Sequence, residues 1–207
     1  MSEAYISLSG EGKGQYEEKR SVFLAYAKPV TSDADAQAYL NNIRSAYPDA
    51  RHHVYAYVLR DGNKTRYSDD GEPSGTGGMP VLDLLRKAGI TDAMIVVVRY
   101  FGGVLLGTGG LVRAYTTAAK EAVQSAIPAT YYPADVLKMH ITYPDYQKIT
   151  AALQTVTVTD TVYEDGITVT LTVDETATDT FIAGVNAQTS GRITVETVGK
   201  TFCRKLR

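Results

Sequence analysis

Residues 93–98, Ala-Met-Ile-Val-Val-Val, are apolar at every position, which predicts a strand buried on both faces that ends abruptly in Arg99-Tyr100-Phe101-Gly102-Gly103. Upstream, residues 21–28 and 53–59 read as strands. Helical periods run over 33–46 behind a Thr31-Ser32 cap, over 80–88 and over 111–125. The order to this point is ββαβαβα. Further on, 136–143 reads as strand, 146–153 as helix, 156–173 as a hairpin turning at Asp165-Gly166, 178–188 as helix and 192–202 as strand. That order, βαββαβ, is a ferredoxin-like split βαβ arrangement.

In the second series the alternation is strict. Ile167, Val169, Leu171 and Val173 point one way, while Thr168, Thr170 and Thr172 point the other. The polar face, which also carries Lys138, His140, Thr157, Thr159 and Thr194, has no row of aromatics on which bases stack, so RNA reading by that face is excluded. His140 reads as a solvated sheet residue, because no second metal ligand sits at a usable spacing.

Between the two series lies Ile127-Pro128-Ala129-Thr130-Tyr131-Tyr132-Pro133, where two prolines are expected to interrupt any helix or strand. A domain boundary is placed there, giving domains 1–130 and 131–207. Together they form an α+β chain of 207 residues whose 44% hydrophobic content suffices for real cores. Cys203 stands alone and forms no internal disulfide, the N-terminal sequence has neither a basic nor an apolar leader region, and no apolar run nears the roughly 20 residues of a membrane helix. A cytoplasmic location without membrane contact is expected.

The net charge of −2 argues against a nucleic-acid binder that uses its whole surface and leaves only local basic patches. They are Lys13, Lys19 and Arg20, then Arg99 and Arg113, then Arg204, Lys205 and Arg207. For the first and last groups, ordinary solvated charge is the simpler reading.

Ten of the 18 glycines fall between Gly71 and Gly110, denser than chain reversal requires, so this stretch is where function is sought. Two near-identical loops, Gly75-Thr76-Gly77-Gly78-Met79 and Gly107-Thr108-Gly109-Gly110-Leu111, each lead into a helix, and Tyr67-Ser68-Asp69-Asp70-Gly71-Glu72-Pro73-Ser74 precedes the first. If Gly110 caps the last helix, Arg113 lies in its first turn, where the helix dipole disfavours a cation by roughly 0.3 to 1 kcal/mol. In one reading Asp69, Asp70 and Glu72 pair with Arg99 and Arg113 and pin the loops together. In the other, two helix N-termini offer free N–H groups to a phosphate, with the arginines beside it and an acid holding a divalent ion.

The candidate binding residues are therefore Asp69, Asp70, Glu72, Ser74, Gly75, Thr76, Arg99, Tyr100, Gly102, Gly103, Gly107, Thr108, Gly109, Gly110 and Arg113, with His52 secondary. No catalytic or metal-ligating residue is assigned. The Walker loop is absent because no lysine follows a glycine pair, and the dinucleotide fingerprint fails at Val112 and Pro80. Ser74 sits one position off a Gly-x-Ser-x-Gly elbow.

These same motifs, residues 67–76, 99–103 and 106–115, together with Lys19-Arg20-Ser21-Val22-Phe23, residues 52–57 and Tyr143-Pro144-Asp145-Tyr146, resemble the IMPACT/YigZ family along nearly the whole chain. Two positions depart from the family pattern: Gly77 stands where alanine is expected and Val54 where cysteine is usual. The resemblance implies a first domain of the ribosomal S-five domain-two type and a ferredoxin-like second domain similar to the last domain of elongation factor G. It also implies a role in translation, since eukaryotic relatives regulate it by competing for the activator of a stress kinase, although those partners do not carry over to a chain with the bacterial layout.

Two functions follow as expectations. The leading one is a non-enzymatic binding protein that meets the ribosome, RNA or a translation-associated protein through the glycine loops, without a cofactor and with Arg99 and Arg113 on the contact. The alternative is an enzyme or sensor for a small phosphorylated ligand at the two helix N-termini, with magnesium entering only there; fold analogy is its support.

Overall fold

The structure, a computed structural model, describes residues 3–204. Residues 5–129 form one unit, with β1 (Tyr5–Leu8), β2 (Gly12–Glu18), β3 (Ser21–Pro29), α1 (Asp33–Ala46), β4 (His52–Leu59), β5 (Lys64–Ser68), α2 (Gly78–Lys87), β6 (Ala93–Tyr100) and α3 (Gly107–Ser125). The sheet is antiparallel throughout, in the order β2-β3-β6-β4-β5.

The all-apolar segment is thus the middle strand, and its two faces feed two cores. Ile95 and Val97 pack with Leu82, Leu85, Ala114 and Tyr115 under α2 and α3, while Met94, Val96 and Val98 pack with Tyr39, Leu40 and Ile43 under α1. Each of the valine, leucine, isoleucine and methionine side chains, fully buried, contributes about 1.5 to 3 kcal/mol. α1 begins at the expected cap, where the Ser32 hydroxyl accepts from the Asp35 N–H at 3.1 Å.

α3 lies almost in backbone contact with β2. A methyl group on Gly14 would stand 2.5 Å from the Ala118 carbonyl oxygen, and one on Gly12 2.2 Å from that of Ala122. Glycines on the strand and alanines on the helix let the two meet at this distance.

The second unit, from residue 130 on, contains all but the first two residues of β7 (Pro128–Ile141), then α4 (Tyr143–Leu153), β8 (Thr157–Tyr163), β9 (Ile167–Asp174), α5 (Thr178–Thr189) and β10 (Val195–Arg204). Its strands run β10-β7-β9-β8 and its element order is βαββαβ, so the chain is a two-domain α+β protein as the pattern predicts. Ile167, Val169, Leu171 and Val173 are all buried, Lys138 and His140 are exposed, and His140 Nδ1 lies 3.1 Å from the Thr168 hydroxyl.

Two boundaries differ from expectation. The second proline does not break the strand: β7 opens at Pro128 and runs on through Pro133. The β7–β9 ladder begins only at Ala134, opposite Asp174, so the missing N–H of Pro133 falls where β9 has ended, and its carbonyl accepts from the Glu175 N–H at 3.0 Å. The second glycine loop is not a loop before the helix either. α3 starts at Gly107, with Leu106 at its cap and Gly107 at φ 71°, so Arg113 lies in the second turn and escapes the dipole cost of a first-turn cation.

Candidate functional site

Strand register gathers the candidate residues at one end of the first unit's sheet. Phe23 and His52 lie opposite Arg99 on either side, so the β2–β3 turn, the start of β4 and the segment leaving β6 are neighbours. The 69–78 segment and the start of α3 close over this end.

The acids of that segment are all engaged within the protein. Asp69 accepts backbone N–H groups from Gly75 at 2.9 Å, Gly77 at 2.9 Å and Gly78 at 2.8 Å, so a carboxylate of the chain already occupies the N-terminus of α2, where the phosphate reading places an anion. Asp70 accepts from the His53 N–H at 2.7 Å and from Arg44 at 3.2 Å. Glu72 Oε1 accepts from Arg99 Nη1 at 2.6 Å and from the Tyr115 hydroxyl at 2.7 Å, with the Glu72 and Arg99 side chains 4% and 6% exposed. Burial, and then the Glu72 charge, push the Tyr115 phenol far above its usual range.

Arg99 is therefore not a contact surface. Its guanidinium lies 5.4 Å from the Phe23 ring centre and 5.6 Å from that of Phe101, at the bottom of the site. The expectation that Arg99 meets a partner is corrected: as the last residue of β6 on the α3 side, its charge is resolved by Glu72. Pairing of loop acids with Arg113 is corrected too, since among the described residues Arg113 is exposed and takes part in no ion pair. Its charge is felt at Tyr16, whose phenol is raised by the hydrogen bond from its hydroxyl to Glu18 and partly relieved by Arg113.

The remaining candidates divide. The Thr76 hydroxyl is turned inward, donating to the Pro73 carbonyl at 2.7 Å, and Tyr100 packs beside the α1 core. His52 Nδ1 lies 2.8 Å from the Asp70 carbonyl and its Nε2 3.9 Å from Glu72, so it braces the acid segment. Ser74, Gly75, Gly103, Gly107, Thr108 and Gly109 are exposed, Gly102 is partly so and Gly110 is buried. A methyl on Gly109 would meet nothing within 4 Å, so packing gives no reason for glycine there.

Sequence reasoning missed what surrounds them. Phe101 is 50% exposed, Val104 38% and Leu105 82%, all in the segment between β6 and α3. Beside it, Lys19 and Arg20 form a two-residue turn between Glu18 and Ser21, both with positive φ, 47° and 66°. Such a turn favours Asn-Gly, and each residue with a side chain costs about 1 to 2 kcal/mol in that conformation. The turn is locked from outside: the Gly102 N–H donates to the Ser21 hydroxyl at 3.1 Å, and a methyl on Gly102 would stand 2.1 Å from the Arg20 carbonyl carbon. The available signal was a lysine and an arginine where a hairpin of this length needs left-handed residues.

Among the described residues no group of three or more His, Cys, Asp or Glu is placed to hold a metal, and no helix is long and apolar enough to cross a membrane. Lys205 and Arg207 of the terminal basic group lie outside the described residues. A cavity of about 590 Å³ lies in the second unit and is lined by none of the glycine-loop residues, so it has no part in this site.

Comparison with known proteins fits this division. The model of the IMPACT N-terminal domain matches residues 19–123, and that of a domain of unknown function matches 139–192. An IMPACT family member of Haemophilus influenzae is 31% identical over 183 residues, covering 86% of this chain and 89% of its own. The family member YigZ of Escherichia coli is 41% identical over 122 residues, 55% of this chain and 60% of its own. A crystal structure described as that of a hypothetical protein superposes with a TM-score of 0.62 at 28% identity, covering 96% of this chain and 99% of that one.

Proposed function

The chain belongs to the IMPACT family, and from that premise we propose that it is a non-enzymatic, translation-associated binding protein whose partner, the ribosome, is met at the exposed end of the first unit's sheet. The observation that carries this reading is the contrast within the site. Its acids are held inside the protein, Asp69 by backbone N–H groups, Asp70 by the His53 N–H and Arg44, and Glu72 by Arg99 and Tyr115, whereas Phe101, Val104 and Leu105 stand out to solvent on the neighbouring segment. Exposed apolar side chains on a rigid support, flanked by cations, suit recognition of a large partner.

Co-sedimentation with bacterial ribosomes at low and moderate salt tests it. Retention that weakens with salt, and is lost in Leu105→Asp and in Arg113→Glu, is the expected result. Absence from the pellet at both salts would overturn the ribosome reading.

One observation keeps the small-ligand alternative in view: the N-terminus of α3 has no side-chain cap, so its N–H groups are not claimed as those of α2 are by Asp69. A phosphorylated ligand there would raise stability by roughly 2.7 kcal/mol at 100 times its Kd, read as a thermal shift with nucleotides, with and without magnesium. No shift with any phosphate compound would remove it.

A further inference from the structure

The Lys19-Arg20 turn is held against its own backbone preference, and an outlier of this kind persists where the surroundings over-determine it and the strain serves a use. The surroundings are known: Gly102 and the Ser21 hydroxyl clamp the turn, so the backbone that carries its two cations is fixed in position instead of trailing as a flexible loop. The clamp also joins the turn to Phe101 and Leu105, the apolar residues that the fold leaves uncovered at this end.

Lys19, Arg20, Arg51 and Arg113 are exposed at this end, while of the nearby acids Asp70 pairs with Arg44 and Glu72 with Arg99; Asp69, Glu17 and Glu18 accept only from neutral donors and keep their charges. A chain of net charge −2 thus presents two adjacent exposed cations, Lys19 and Arg20, near a half-exposed aromatic ring, Phe101. Cations on a fixed turn suit a regularly charged backbone, and a half-exposed ring, with the Arg99 guanidinium 5.6 Å from its centre, suits a base whose own face is unpaired, which a duplex does not offer.

We infer that the Lys19-Arg20 turn and the Phe101–Leu105 segment bind the backbone of single-stranded RNA, the two cations on phosphates and Phe101 stacked on a base. The inference rests on the partner-binding reading above and gives that contact its chemistry.

The test is Lys19→Asn with Arg20→Gly, which installs the residues the turn prefers and removes both charges. The variant should melt at a higher temperature than the wild type yet bind a fluorescent single-stranded RNA more weakly by anisotropy. Its slope of log affinity against log salt should shrink by about 1.4, from two phosphate contacts at roughly 0.7 each. Phe101→Ala should weaken binding about fivefold or more with the salt slope kept. Unchanged affinity and slope in the turn variant would overturn the inference. A wild type that binds the RNA but never pellets with ribosomes would uphold this surface and refute the ribosome reading. One that pellets without binding the RNA would refute the surface and assign the contact to ribosomal protein.

Discussion

Glu72 and Arg99 meet at 2.6 Å with both side chains almost wholly buried, and this pair converts a charged strand end into the floor of the site. A buried pair differs from a surface one in that losing a single partner leaves the other charge uncompensated, at about 3 to 5 kcal/mol. Arg99→Met should cost that much in a denaturant titration, and Arg99→Met with Glu72→Gln should recover most of it. A loss under about 1 kcal/mol, the range of a solvated pair, would show that water reaches the site.

Asp69 stands in for an anion at the N-terminus of α2. Asp69→Ala leaves three N–H groups without their acceptor and should cost about 1 to 3 kcal/mol. Sulfate should then restore part of the melting temperature of the variant, and do so more than in the wild type, because it fits the vacated donors. Equal sulfate effects on both proteins would mean that the donors are satisfied some other way.

What was legible in the sequence was whatever depends on local pattern. The apolar run of β6, the Ser32 cap of α1 and the alternation of β9 announce themselves, because burial and hydrogen bonding at those places involve near neighbours in the chain. The pairing of Glu72 with Arg99 and Tyr115 was open, since it joins residues 27 and 43 positions apart and the same acids could equally have served a ligand. The start of α3 was misplaced because four residues of glycine and threonine carry a weak helical signal, and contacts of the later turns extend the helix into them. Lys19 and Arg20 show in the sequence only as charge, because their left-handed conformation is held by Gly102, far along the chain.

His53 predicts how stability varies with pH. Burial lowers its pKa below the ordinary 6.5, while the Tyr47 carbonyl, 3.1 Å from Nε2, and the Asp70 charge oppose the shift. The unfolded chain therefore takes up a proton at a higher pH than the folded one, and ν_U exceeds ν_N in the window below 6.5. The neutral imidazole's contribution is fully present above pH 6.5 and is lost as pH falls towards the folded value. Denaturation midpoints measured from pH 7.5 down to 5 should decline, and the decline should be shallower in His53→Gln. A parallel decline in both would place the titration elsewhere.

The two departures from the family pattern touch each other. A methyl on Gly77 would stand 3.0 Å from both Cγ atoms of Val54, a residue buried without exposure in the core beneath α2. Valine's second branch thus fills the space that an alanine at 77 would need, and cysteine at 54 would vacate it. Gly77→Ala alone should strain this contact, Val54→Cys alone should leave a small void, and the double variant should be more stable than the two separate effects predict. The expected coupling is about 1 kcal/mol, within the range for side chains in direct contact. A cycle of four melting curves measures it directly; strict additivity would mean that the backbone at Gly77 shifts to admit the methyl group.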